Sequence, residues 1–146
     1  MIAIARLAVA VGLLGLLPFL AGAAAVLLWP ERQAQMMDLF YLYSAGILVF
    51  MAGVYWPIGL QLQQHCYPVS PVVVMALSQA FFVAAGVAVL LPMTIQAVLF
   101  PLAYLLLYLV DAVWMKSFWP AWYLRLRLVL TAVAMATQVA VGVVLL

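Results

Sequence analysis

Charge is scarce in this chain. Its 146 residues include three carboxylates and five Lys or Arg side chains, for a formal net charge of +2. An ordinary soluble domain is about 25% charged. Here the share is 5%, too little to coat a globule in water. The same scarcity leaves no basic stripe to track a phosphate backbone, so nucleic acid is not an expected partner. Cysteine is scarcer still. Cys66 stands alone, which excludes an intrachain disulfide and a multi-cysteine metal site. His65 beside it is the only histidine, and the two together fall short of the four ligands of a tetrahedral zinc site. The chain has no HExxH, no Gly-rich phosphate loop and no nucleophile motif. These absences lead to the expectation of a non-enzymatic protein without cofactor or metal.

Hydrophobic residues, by contrast, make up 73% of the chain. A bilayer core needs about 20 apolar residues per helix. Five stretches meet this, at about 7–29, 39–60, 71–91, 94–115 and 128–146. The expected fold is therefore all-α: one transmembrane domain over residues 1–146, a polytopic bundle of five helices surrounded by lipid. Arg6 ahead of the first run and Ala21-Gly22-Ala23 within it imitate a signal peptide. The run continues to Trp29, however, long enough to span, and is read as the first helix. Pro92 and Thr94 mark a tight turn between the third and fourth helices. Trp29, Trp56, Trp114, Trp119 and Trp122 fall near helix ends, where indole prefers the membrane interface.

Orientation follows from the positive charges. With the N-terminus inside, Arg6, Lys116, Arg125 and Arg127 lie on the inner side and Arg32 alone lies outside. The cytoplasmic side of a membrane protein is the one enriched in Lys and Arg. That places the N-terminus in the cytoplasm and the C-terminus outside.

In lipid, helices associate through close packing at small residues. Gly12, Gly15, Phe19 and Gly22 share a face of the first helix, and Gly46 and Gly53 a face of the second. Both faces are expected to meet neighbours. Pro18 and Pro101 sit inside the first and fourth helices, where each removes a backbone donor. Asp111 is the most informative side chain, because a carboxylate inside an apolar run is costly unless it is paired. Tyr104, Tyr108 and Asp111 recur at spacings of four and three, with Gln96 near the same stripe, giving the fourth helix one polar face. Arg125 or Arg127, across the next connection, is the expected partner of Asp111. Thr131 and Gln138, seven apart, are expected to make interhelical hydrogen bonds.

Two segments resemble a known family. YSAGILVFMAGVYW, Tyr43 to Trp56, is similar to the second-helix signature of the family catalogued as domain of unknown function 3429, which includes transmembrane protein 69-like chains. PAWYLRLRLVLT, Pro120 to Thr131, resembles its other mark, a proline and Trp-Tyr ahead of arginines and a threonine. Asp111 and Leu17-Pro18 also fit, while Ser44 and Pro57 depart from the pattern. The resemblance implies five helices and an inner-membrane setting, here a bacterial one. It supplies no activity, but it draws attention to Asp111, Trp122, Tyr123, Arg125 and Thr131. The functional expectation is an accessory or assembly factor with a membrane-protein partner. The alternative is a binder or carrier of an apolar molecule (quinone, lipid or porphyrin) in a cavity near Asp111.

Overall fold

A computed structural model describes residues 2–62, 70–116 and 119–145. His65 and Cys66, weighed above as metal ligands, lie outside the described residues. The described chain is helical, without strands: α1 (Ile2–Leu28), a 3-10 turn (Pro30–Arg32), α2 (Gln33–Leu62), α3 (Pro71–Leu90), α4 (Met93–Leu109) and α5 (Ala121–Leu145). A π-helical turn, Val110–Trp114, extends α4. Five segments are long and apolar enough to cross a membrane, the shortest being the 20 residues Pro71–Leu90. At 1.5 Å per residue that is about 30 Å, the thickness of a hydrocarbon core.

The outer surface matches a lipid surround. Leu28, Phe50, Val72, Leu90 and Val143 stand exposed, whereas Ser44, Asp111, Arg127 and Gln138 are buried. Water would favour the reverse distribution; hydrocarbon favours this one, because polar groups there must find partners inside the protein. The chain is an integral membrane protein.

Three helix starts differ from the sequence reading. α1 begins at Ile2 rather than near 7, α2 at Gln33 rather than near 39, and α5 at Ala121 rather than near 128. The last difference matters most. From the sequence, Arg125 and Arg127 belong to the polar connection that precedes a fifth helix expected near 128. In the structure Pro120 immediately precedes α5, and the backbone N–H groups of Tyr123 and Leu124 donate to its carbonyl. Both arginines are therefore helical. One is paired, and the other lies exposed near the helix end, within reach of the interface.

α1 packs against α2 and α5, α4 packs against α5 and α2, and α3 lies along α2. The α3 stripe that does this is Val74, Ser78, Phe81, Ala85 and Ala88, spaced by three and four. α3 meets α4 less extensively, and an open apolar cleft of about 820 Å³ separates them along Phe81, Val87, Val98 and Leu102. The turn between them is closed by Gln96, whose Nε2 donates to Leu91 O at 2.8 Å.

The glycine face of α1 does meet its neighbours. A Cβ on Gly12 would lie 3.1 Å from Leu130 of α5, and one on Gly22 would lie 2.9 Å from Phe40 of α2. Tyr43 OH donates to Gly15 O at 2.7 Å. The expectation for α2 is overturned: Gly46 and Gly53 are exposed, with nothing within 4 Å of a Cβ on either. The buried stripe of α2 runs instead through Met37, Tyr41, Ser44, Leu48 and Tyr55, roughly opposite the two glycines. Large side chains share that buried face with Ala45 and Ala52. Phe19 is the hub at this level, meeting Phe40, Tyr43 and Tyr104 edge-on.

Pro101 is buried in α4. It cannot donate to the Ala97 carbonyl one turn back. Gly142 of α5 comes close to that carbonyl, where a Cβ would lie 3.7 Å from Ala97 O.

Candidate functional site

Asp111 lies in the π-helical turn at the end of α4 and is 2% exposed. In that turn Met115 N bonds to Val110 O at 2.8 Å, five residues back rather than four. The inserted residue changes the angular step of the helix, and such turns concentrate at functional sites.

Four donors converge on the carboxylate. Tyr55 OH of α2 donates to Oδ1 at 2.6 Å, and Trp119 Nε1 to the same oxygen at 3.1 Å. Arg127 of α5 donates from Nε to Oδ2 at 2.8 Å, with Nη2 also 2.8 Å from that oxygen. The Arg127 side chain is 6% exposed. The third guanidinium nitrogen, Nη1, donates to the Met51 thioether of α2. The cluster thus joins α2, α4, α5 and the segment ahead of α5 around one carboxylate. Such satisfaction is what a charge away from water requires.

A second polar group lies deeper. Tyr104 OH donates to Ser44 O at 2.6 Å, and Gln138 Nε2 to Ser44 Oγ at 3.4 Å. The interhelical bond expected of Gln138 is present. Thr131 makes none among the described residues.

The residues singled out from sequence therefore separate. Asp111, Arg127, Tyr123 and Thr131 border a common groove. Tyr104 belongs to the deeper group with Ser44. Tyr108 is half-buried and takes no part in either group. Trp122 is 37% exposed, with its ring edge-on to Tyr123. Arg125 is exposed, so Arg127 is the partner of Asp111. Tyr55, Trp119 and Met51 were not anticipated. Depth was the signal available: Tyr55 and Asp111 both lie a few residues before the ends of helices that run in the same direction.

The groove has a volume of about 430 Å³ and lies between α1, α2 and α5. Gly15 and Phe19 of α1, Ile47 and Val54 of α2, and Leu130 and Ala134 of α5 form its apolar walls. Tyr55, Asp111, Tyr123 and Arg127 close one end. From Tyr123 to Ala134 the groove follows α5 for about 16 Å. Its flank is open where Val11 and Phe50 stand exposed. Among the described residues no cluster of three or more His, Cys, Asp or Glu side chains could hold a metal.

These features define a class: a five-helix integral membrane protein with a buried ion pair at one end of an apolar groove. The chain belongs to the family described as protein of unknown function (DUF3429), which matches residues 4–143, nearly its whole length. No curated protein and no solved structure matches it.

Proposed function

We propose that this protein binds an apolar, lipid-like molecule in the groove between α1, α2 and α5. The observation that carries the reading is a groove of about 430 Å³ whose walls are apolar and whose polar groups gather at one end. Small-molecule sites commonly measure about 300–1,000 Å³ and combine apolar walls with a few polar groups. The open flank at Val11 and Phe50 gives a molecule dissolved in the bilayer a direct way in.

Binding without catalysis is the favoured form. Both oxygens of Asp111 already accept hydrogen bonds, Oδ2 from Arg127 Nε and Oδ1 from Tyr55 and Trp119, and Arg127 Nη2 pairs with Oδ2 as well. A carboxylate so engaged has little acceptor capacity left for a reacting group. The setting we propose is a bacterial inner membrane, with the N-terminus cytoplasmic and the C-terminus outside. Arg6, Lys116 and Arg125 then share the cytoplasmic side, and the buried Arg127 lies toward that end of α5.

Native mass spectrometry of protein extracted from membranes tests the binding. The expected result is a bound small molecule that is lost in Gly15→Leu, which fills the groove; a Cβ there has only Tyr43 OH nearby, at 3.9 Å. Bare protein in both samples, with no uptake of added lipid, would overturn the reading.

A second reading, an accessory or assembly factor, draws on the free flank of α2. Gly46 and Gly53 have open space beside them, and small residues let a partner's helix approach closely. Crosslinking from cysteines placed at these two positions should trap a partner if this reading is right. Crosslinks to lipid alone would remove it.

A further inference from the structure

We infer, resting on the groove reading, that the occupant carries a neutral hydrogen-bond acceptor, a carbonyl oxygen, which Arg127 Nη1 takes in place of the Met51 thioether. The argument begins with the donors of the guanidinium. It has five N–H groups. Nε and Nη2 face Asp111 Oδ2, and Nη1 faces Met51 Sδ. One N–H on each terminal nitrogen is left over. The thioether is a weak acceptor. A buried cationic donor is therefore served by a weak acceptor, and donors of this kind are the ones that gain most from a better one.

The donor lies where a ligand would meet it. Met51, Arg127 and Thr131 all line the groove. Thr131 has no hydrogen bond among the described residues, so its hydroxyl is a second donor available to the same oxygen. An oxygen at the head of a chain lying along the apolar walls arrives at these two groups together.

Charge selects the kind of head. Asp111 and Arg127 sum to zero, and each is largely neutralised by the other. A phosphate or carboxylate head would approach Arg127 only by also approaching Asp111, with little water to screen the repulsion. An ammonium head would meet the guanidinium. A carbonyl carries a lone pair for Nη1 without a net charge for either partner to oppose.

Undecan-2-one, decyl phosphate and undecane are suitable probes, being of similar length and differing at the head. Each is added to the full chain in nanodiscs, and affinity is read by native mass spectrometry. We expect undecan-2-one to bind at least ten-fold more tightly than the other two. Its carbonyl stretch, measured with a carbon-13 label, should fall below its value in lipid alone. Met51→Leu removes the competing acceptor without touching the ion pair, and should tighten ketone binding relative to undecane; an unchanged ratio would overturn the exchange of acceptors on Nη1.

Equal binding of undecan-2-one and undecane with an unshifted carbonyl would overturn this inference and leave the groove reading standing. Tighter binding of decyl phosphate would do the same. Failure of all three probes to bind, with native protein also bare, would overturn both.

Discussion

Asp111 holds three other side chains in place, and the cost of removing each should differ in a definite order. Deleting one member of a buried ion pair leaves the other uncompensated, at a cost of about 3–5 kcal/mol. Arg127→Ala should therefore lower stability by that amount, while exposed Arg125→Ala should leave it nearly unchanged. Reversible unfolding in mixed micelles compares the two directly, and equal losses would contradict the pairing. Tyr55→Phe removes one bond to the carboxylate and should cost less, about 1.5–3 kcal/mol. The double change Asp111→Leu with Arg127→Met should recover most of the loss of Arg127→Ala, because no charge is then left stranded. Asp111 could be read from sequence because an acid in an apolar run demands a partner. Arg125 and Arg127 could not be told apart. They lie two positions apart, which on a helix means nearly opposite faces, but the apolar run that marks the fifth helix in the sequence begins only after both. Trp119 reads from the sequence as one more interfacial indole. Nothing in the sequence marked its indole N–H for the carboxylate.

The helices themselves were legible as lengths of apolar chain, and their contacts less so. Gly22 of α1 was placed correctly at an interface, whereas Gly46 and Gly53 of α2 were not, since three glycines at helical spacing look alike whichever way they face. The difference is measurable. Gly22→Leu forces a side chain into Phe40 and should separate α1 from α2, lowering the melting temperature. Gly46→Leu extends into open space and should be tolerated within about 1 kcal/mol, the scale of helix propensity. The π-helical turn is invisible in the sequence pattern, because Tyr104, Tyr108 and Asp111 keep the spacings of four and three that an unbroken helix would show. Its role can be tested by subtraction. Deleting Val110 turns Asp111 by about 100° relative to the rest of α4. That should break the ion pair and destabilise the protein as much as Arg127→Ala, in the same unfolding assay.

For the molecule as a whole, a composition 73% hydrophobic dictates a membrane setting, and the five apolar runs dictate a bundle of five helices. The groove was not dictated. It depends on how far α1, α2 and α5 stand apart, a matter of side-chain volumes summed over three interfaces. The pair that closes the groove also links α4 to α5, and this bears on biogenesis. α4 leaves the ribosome before α5, so its carboxylate reaches the bilayer ahead of the guanidinium that neutralises it. Until synthesis passes Arg127, α4 is a poor candidate for stable integration. A chain terminated after Pro120 should therefore be cleared rapidly by membrane proteases, and Asp111→Leu should lengthen its lifetime in a pulse-chase experiment. α5 thus acts as the quality check on the helix made just before it.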